Sequence, residues 1–429
     1  MNPQAEELNV ILQDGHPNVY EMLSERGKRI FFPKKGILGQ TAEAKGKRIN
    51  ATIGAAVEDD GSPMRLKSIE KNINISPEMA FPYAPSFGRP DIRVQWKKMI
   101  YQKNPALGNK EISLPVVTNA LTHALSICGY MFSDEGSRII IPDIYWGNYN
   151  LIFKNAYGVD FDLFNFFKGD SFDVEAFEKV ICKGSNEKKV VLLNFPNNPT
   201  GYTPTVEEMK LIVAAIKKSA DKGNKLVILI DDAYFGLVYK PGIEEQSIFT
   251  YLSDLHENVL AVKIDGPTKE DYVWGFRVGF ITYGIKNGTA TMYDALASKT
   301  AGAVRGNISN SANISQSLLL YAFQSETYSQ EKAEKYEILK SRFEAVKNAV
   351  GNGQYSEYYQ PVPFNSGYFM CVRLNAKYDG EKVRKQLLEK YDTGVINMAG
   401  LIRIAFSSVS ADLIPELYEN IAKACKDLG

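Results

Sequence analysis

Cysteine is scarce in this chain: four in 429 residues, at positions 128, 182, 371 and 425. No two of them sit at the spacing of a metal or redox site, so a reduced, cytoplasmic protein is the expectation. Histidine is scarcer still. His16, His123 and His256 are scattered, and no metal site is expected. A charge excess of either sign is also missing, since Lys+Arg and Asp+Glu both number 50. That balance argues against a polyanion binder, and no nucleic-acid partner is expected. Long hydrophobic runs are absent. The longest, such as 226–230 and 318–323, fall far short of the ~20 residues that span a bilayer, so no membrane partner is expected. The opening MNPQAEELNV carries early acidic residues and no apolar core, so no secretory leader is expected. Two phosphate-binding patterns are missing as well. Neither GxxxxGK[ST] nor a strand-to-helix GxGxxG occurs, which weakens the P-loop NTPase and dinucleotide-oxidoreductase readings.

What is present is ordinary globular material, 45% hydrophobic and 23% charged, enough for two or three structural units. The first fifty residues read as irregular, rich in Gly, Pro and Lys. From about residue 112, short apolar runs alternate with longer amphipathic ones, the pattern of βαβ units around a mainly parallel sheet. Strands are expected at 113–118, 138–142, 190–194, 226–230, 259–264 and 279–283, with helices at 121–132 and 206–222 among others. Residues 314–350 hold no Gly or Pro and predict one long helix or two nearly continuous ones. The tail predicts a helix near 380–391, a short strand around 401–406 and a last helix from 411. The implied organisation is an N-terminal arm with part of a small domain (1–75), a large α/β domain (76–320), and a linking helix with the rest of the small domain (321–429).

Three strings ask for more than a fold. Asn194-Phe-Pro-Asn-Asn-Pro-Thr-Gly201 follows an expected strand, where ligands of α/β sheets gather. Its prolines and glycine make a rigid loop from which Asn198 can donate a hydrogen bond, although Asn-Pro and Thr-Gly are also plain turn formers. Ile230-Asp-Asp-Ala-Tyr234 closes the next strand. Strand-end acids often only face water, yet a buried carboxylate beside a cationic ring nitrogen would keep that nitrogen protonated. Asp232 is read as the bystander of the pair. Thr268-Lys-Glu-Asp-Tyr-Val-Trp-Gly-Phe-Arg277-Val-Gly follows a further strand. A single Lys is usually solvated, but one in a partly apolar loop, with its pKa depressed, can form a Schiff base.

Together these strings, in this order, resemble the class I/II pyridoxal-phosphate aminotransferases of fold type I, and in detail their aspartate/aromatic branch. The resemblance covers nearly the whole chain. That branch sets its phosphate-binding arginine eight residues after its Schiff-base lysine, as Arg277 follows Lys269. The resemblance implies that Asp231 partners the cofactor ring nitrogen, that Tyr234 and Asn198 bond the ring oxygen, and that Trp146 of Pro142-Asp-Ile-Tyr-Trp-Gly-Asn148 stacks on the ring. Ala120, Leu121 and Thr122 would join Arg277 on the phosphate. Arg403 of Ile402-Arg-Ile would clamp the substrate α-carboxylate, with Gly54 of Asn50-Ala-Thr-Ile-Gly54, Asn198 and Trp146 also at the substrate. Tyr83 of Tyr83-Ala-Pro-Ser-Phe-Gly88 matches the tyrosine that reaches the neighbouring subunit's phosphate, which implies a homodimer with shared sites.

The departures are specific. Family members commonly carry Ser three residues before the lysine. Gly266 stands there, so one hydroxyl contact to phosphate is expected to be lost. The phosphate loop, Thr118-Asn-Ala-Leu-Thr122, lacks the usual Gly and Ser. Val304-Arg-Gly-Asn-Ile-Ser-Asn310 resembles the segment whose arginine binds a distal carboxylate across the dimer, which marks Arg305. Its spacing from Lys269 is longer than in that branch, and Ile308 replaces a tyrosine. The implied fold is a large domain with a mainly parallel sheet in an α/β/α sandwich plus a small α+β domain. The implied activity is amino transfer between a dicarboxylic or aromatic α-amino acid and a 2-oxo acid. The alternatives are another reaction of the fold, a β-lyase or decarboxylase, and, remotely, a non-enzymatic effector domain. The latter would need a DNA-binding domain ahead of the family-like segment, which begins by about residue 30.

Overall fold

In the computed structural model, residues 1–34, 36–398 and 400–429 are described. The expected strands appear, with one addition. They form a seven-stranded sheet from β1 (Val116–Thr118), β2 (Arg138–Pro142), β3 (Asp160–Phe164), β4 (Lys188–Asn194), β5 (Lys225–Asp231), β6 (Val259–Asp265) and β7 (Gly279–Gly284). The spatial order is β1-β7-β6-β5-β4-β2-β3, and only β7 runs antiparallel to its neighbours. Strands β4 and β5 are apolar on both faces through their centres because helices cover the sheet, and β6 departs from this only at buried Lys263 and Asp265. The helices that matter here are α1 (Pro3–Gly15), α2 (Pro90–Lys103), α3 (Ala120–Phe132), α4 (Val206–Asp221), α5 (Ala290–Ile308), α6 (Asn313–Phe323), α7 (Tyr328–Gly351), α8 (Gly380–Lys390) and α9 (Ile414–Asp427). The start of α4 shows how local the signals are. Thr205 accepts the Glu208 N–H and Glu208 accepts the Thr205 N–H, a complete capping box.

A second, antiparallel sheet is built from β8 (Tyr359–Pro361), β9 (Phe369–Leu374), β10 (Ile396–Met398) and β11 (Leu401–Ala405), in the order β8-β9-β11-β10. The chain's beginning is stitched to this end. Ile49–Asn50 pairs in parallel with Thr393–Gly394, and the Ala405 N–H donates to the Ala51 carbonyl at 2.8 Å.

Three expectations change. The first fifty residues are not irregular. They hold α1 and short helices at Pro17–Met22, Glu25–Arg29 and Ile37–Glu43. The cause is capping: Asn2 and Ser24 accept the N–H groups of Gln4 and Gly27, and prolines occupy first-turn positions. The strand expected from 113 starts at 116, because Pro115 has no N–H for the ladder. The edge strand β3 escaped notice because its Asp-Phe-Asp pattern looks like a loop, while its pairing to β2 is tertiary. The 314–350 region takes the second of its two expected forms, two nearly continuous helices, α6 and α7, parted at 324–327.

Candidate active site

Strands β1, β4, β5 and β6 point their carboxyl ends to one edge, and antiparallel β7 begins there, with Gly279 opposite Thr118 and Phe280 opposite Asp265. Five loops therefore converge. They carry the 120, 198, 231–234, 269 and 277 positions, and β9 and β11 of the second sheet close over them. The result is a cavity of about 220 Å³. It is lined by Gly54, Ala120, Leu121, Thr122, Trp146, Asn198, Asp231, Tyr234, Lys269, Arg277 and Arg403, eleven positions marked from sequence. Two others are not there. Tyr83 is 92% exposed, and Arg305 sits at the end of α5, where it donates to the Ser309 hydroxyl at 2.8 Å.

The floor is Asp231, buried at the end of β5. The Tyr149 hydroxyl donates to its Oδ2 at 2.6 Å and the Ala233 N–H to its Oδ1 at 3.2 Å. Burial pushes the Asp231 carboxyl above its ordinary range, while Tyr149 and the Lys269 charge pull it back. Asn194 ties the adjoining loop down, donating to the Asp231 carbonyl at 2.8 Å and accepting the Asn198 N–H at 2.8 Å. Burial also pushes the Tyr234 phenol up, opposed by the nearby Arg403 charge and Asn198. Lys269 places Nζ 5.0 Å from the Tyr234 ring centroid. Burial brings its pKa down to about 8, against the pull of Asp231 and with help from Arg277. An amine so placed is partly neutral near neutral pH, the form a nucleophile needs.

The cradle at the other end is backbone. Helix α3 starts at Ala120 with φ +63°, and no side chain caps its first turn among the described residues. Its open N–H groups and the positive end of the helix suit an anion. Strand β7 approaches so closely that a Cβ on Gly279 would lie 2.7 Å from the Ala120 carbonyl carbon. The same crowding explains Gly266, where a Cβ would stand 2.9 Å from the Val278 oxygen. A hydroxyl is present two residues on. Thr268 lines the cavity, and its Oγ1 has no partner among the described residues.

Arg403 supplies the roof. It is 3% exposed, yet it has no carboxylate partner among the described residues. It donates one bond to the Thr52 carbonyl at 3.0 Å, lies 4.5 Å above the Phe369 ring centroid, and leaves Nε unpaired. Burial holds its pKa below the usual guanidinium range. An uncompensated buried charge is costly, and it is the mark of a site built for an incoming anion. Asn198 Oδ1 is a further unpaired buried atom in the cavity wall.

Sequence reasoning missed three residues. Tyr149 holds Asp231, and its only signal was its place three residues after Trp146. Ile37 lines the cavity from the short helix Ile37–Glu43. That helix is joined to β10 by a reciprocal pair: Gln40 donates to the Asn397 carbonyl at 3.0 Å, and the Asn397 N–H donates to Gln40 at 2.7 Å. Phe369 was buried in a strand not marked at all. Asp232, read as the bystander, lies outside the cavity, but it is not idle. It is 3% exposed, ion-paired to buried Lys263, and accepts the Ser247 hydroxyl at 2.6 Å.

No group of His, Cys, Asp and Glu among the described residues could hold a metal ion. No helix of the described residues is long and apolar enough to cross a membrane. The unpaired Asn198, Thr268 and Arg403 atoms, the uncapped start of α3 and Lys269 with its lowered pKa together fit a phosphorylated pyridine aldehyde: a phosphate at α3, a ring over Asp231 and a carbonyl at Lys269.

Comparison with known proteins agrees. A family model described as aminotransferase class I and II matches residues 57–421. A cytoplasmic aspartate aminotransferase of Caenorhabditis elegans is 26% identical over 297 residues, 66% of this chain and 68% of that protein. An aspartate aminotransferase of Geobacillus stearothermophilus is 28% identical over 232 residues, 53% and 54% of the two chains. The chain thus spans about half to two thirds of the curated relatives it matches. Among solved structures, an aminotransferase from Anaerococcus prevotii superposes with a TM-score of 0.82 at 25% identity, covering 94% of this chain and 98% of that one. The cytoplasmic aspartate aminotransferase of Saccharomyces cerevisiae shares the fold at a TM-score of 0.76 and 19% identity, covering 96% and 100%.

Proposed function

The chain belongs to the class I and II aminotransferases, enzymes dependent on pyridoxal 5′-phosphate, and from that we propose that this cleft moves an amino group between an α-amino acid and a 2-oxo acid. The observation that carries the reading is one cavity holding both a Lys269 whose pKa burial brings down and a buried Arg403 that has no carboxylate of its own among the described residues. When bound, the cofactor supplies an electron sink conjugated to the substrate Cα. Everything else falls to this chain's residues. Asp231 holds a proton on the ring nitrogen by charge, and Tyr149 keeps Asp231 ionised and aimed. Tyr234 and Asn198 bond the ring oxygen. Trp146 covers one ring face. Arg277, Thr122, Thr268 and the N–H groups of Leu121 and Thr122 hold the phosphate. Arg403 grips the α-carboxylate with its planar fork, a geometry Lys does not offer. Lys269 would hold the cofactor's carbonyl carbon and, as the base of the site, would take the proton from the substrate Cα.

The substrate class is dicarboxylic or aromatic amino acids with a 2-oxo acid acceptor, supported by the aspartate-branch motifs. The functional unit is a homodimer. Exposed Phe81 and Tyr83 support it, as does the binding of that segment to the end of α5 and start of α6: Asn310 donates to the Ala84 carbonyl, and Ser317 to the Met79 carbonyl. Arg305 lies on the same surface, where it would reach the neighbour's substrate. The division into a large unit at 76–320 and a small one from both ends goes with this reading. A cytoplasmic location is supported by four free, buried cysteines.

The test is to mix the purified chain and cofactor with single amino acids and follow loss of the cofactor's visible band together with the keto acid formed. Lys269→Ala is expected to keep weak cofactor binding and lose nearly all turnover. Wild-type turnover in that variant, or pyruvate and ammonia in place of a transferred amine, overturns the reading. A fully active monomer on dilution overturns the shared site, and equal losses on acidic and neutral substrates in Arg305→Ala remove that residue from it.

A further inference from the structure

Both central residues of the cleft are followed by acids that face away from it. Asp232 follows Asp231, and Glu270 and Asp271 follow Lys269. All three are buried, and none lines the cleft. Each end leads into the same chain of contacts. Lys263 of β6, also buried, pairs with Asp232 and lies 3.3 Å from Asp265. The Trp96 indole of α2 donates to Asp265 at 3.0 Å. Two turns on, Lys103 sets its ammonium 4.3 Å from the Trp96 ring centroid and reaches both Glu270 oxygens at 3.0 Å. Lys332 of α7 meets Glu270 at 2.7 Å and Asp271 at 3.2 Å, and the Tyr328 hydroxyl donates to Asp271.

We propose that this buried chain of charges, running beneath the cleft from Asp232 to α7, holds Lys269 in register with Asp231, and that Lys332 is the positioning residue at its outer end. The proposal rests on the aminotransferase reading above. A buried ion network is expensive to form and does not by itself add stability, but it fixes geometry because each member has one set of partners. Here it fixes the peptide that carries Lys269. Helix α7 continues into the second sheet, so Lys332 couples the position of that sheet to the lysine. Tyr368, just before β9, adds a second tie by donating to the Lys269 carbonyl at 2.9 Å.

Electrostatics point the same way. Burial alone would raise Glu270, yet Lys103 and Lys332 outweigh it and hold the carboxyl near about 2. Asp271 is pushed up by burial and by Glu270, with Lys332 opposing. The other ionisable groups around this pair are Tyr272, Tyr328, Tyr368 and the Glu58–Lys335 pair. Lys269 itself faces Asp231, Arg277 and the Tyr234 ring. Lys332 meets Glu270 and Asp271, the two residues after Lys269, and on the proposal its loss leaves that pair a cation short, which would favour the protonated lysine.

The test compares the wild-type full chain with Lys332→Met, Lys332→Arg and Tyr328→Phe. In the chain without cofactor, reductive methylation of Lys269 by formaldehyde and cyanoborohydride is read by mass spectrometry across pH. In Lys332→Met the midpoint is expected to rise by about half a pH unit or more, with Lys332→Arg returning toward wild type. With cofactor bound, kcat is expected to fall about tenfold while KM moves less than about threefold. Tyr328→Phe, a milder change that leaves every charge in place, is expected to lower kcat in the same direction, and it carries the test if Lys332→Met does not fold. An unmoved midpoint and kcat in folded Lys332→Met, or wild-type kcat in Tyr328→Phe where the former is unfolded, overturns the proposal. If wild-type Lys269 is not modified and no cofactor binds, the aminotransferase reading fails, and this proposal with it.

Discussion

Replacing Arg403 with Met should weaken catalysis without weakening the fold. The two effects follow from the same geometry. The guanidinium is 3% exposed, and its favourable contacts are few: one bond to the Thr52 carbonyl and the Phe369 ring face. Those contribute about 1.5–3 kcal/mol and about 2 kcal/mol. Against them stands a desolvation cost of several kcal/mol for a buried ion with no counter-charge. The balance is near zero, so Arg403→Met should shift unfolding by no more than ~1 kcal/mol in either direction. A substrate carboxylate supplies the missing counter-charge. Losing that bond costs ~2–5 kcal/mol, a fall of roughly 30-fold to several thousandfold in kcat/KM for amino acids. A simple primary amine, which has no carboxylate, should be used as well as before. Arg342 is the control. It is equally buried, but donates to the Ser407 carbonyl at 2.6 Å and to Asp59 at 2.8 Å. Arg342→Met should therefore cost ~2–3 kcal/mol of stability. Urea unfolding of both variants, alongside half-reaction rates with an amino acid and an amine, decides the matter. If Arg403→Met loses as much stability as Arg342→Met and still handles amino acids at the wild-type rate, the buried arginine is structural and the argument is wrong.

Tyr149→Phe removes a hydrogen bond that favours the ionised form of Asp231, so the carboxyl rises further. Activity that needs the carboxylate is then lost at higher pH on the way down, and the acid limb of kcat/KM should move up by about one unit; an unmoved limb would count against the assignment. Gly279→Ala drives a Cβ into the Ala120 backbone, an overpacking cost of ~1–3 kcal/mol that should weaken cofactor affinity about ten- to a hundredfold by titration, and Gly266→Ser should weaken it as well rather than improve it; wild-type affinity in both would mean the cradle gives. Asp232→Asn removes one of the two carboxylates on Lys263 but leaves Asp265, and should lower stability by ~1–3 kcal/mol in urea melts, where no loss would show the pair to be dispensable.

The parts of the site legible in sequence were those whose chemistry is carried by short rigid strings: Asn198 in its proline loop, Asp231 and Tyr234 at a strand end, and Lys269 eight residues from Arg277. Such strings fix their own local geometry, so identity and spacing suffice. Tyr149, Ile37 and Phe369 were not legible, because each reaches the cavity through a tertiary contact with no local marker. The structural part played by Asp232 was not legible for a related reason. Two adjacent strand-end acids look alike until Lys263, thirty-one positions away, is seen to pair with one of them. The N-terminal helices lacked a strong apolar period and were overlooked, although their Asn and Ser caps were in view. Strand β3 alternates acidic and apolar residues at a sheet edge, where pairing to β2 and not propensity decides the matter.

The reciprocal bonds between Gln40 and Asn397 make the short helix at 37–43 a rider on the second sheet, not on the sheet that bears Lys269 and Asp231. The stretch of cavity wall at Ile37 and the bench where bonds are made thus belong to different carriers. A change at Ile37 can trade one side chain for another while the reacting groups keep their spacing. For anyone redesigning this enzyme, that wall and the reacting groups are separate dials, and the first of them turns from a helix of seven residues in about the first tenth of the chain.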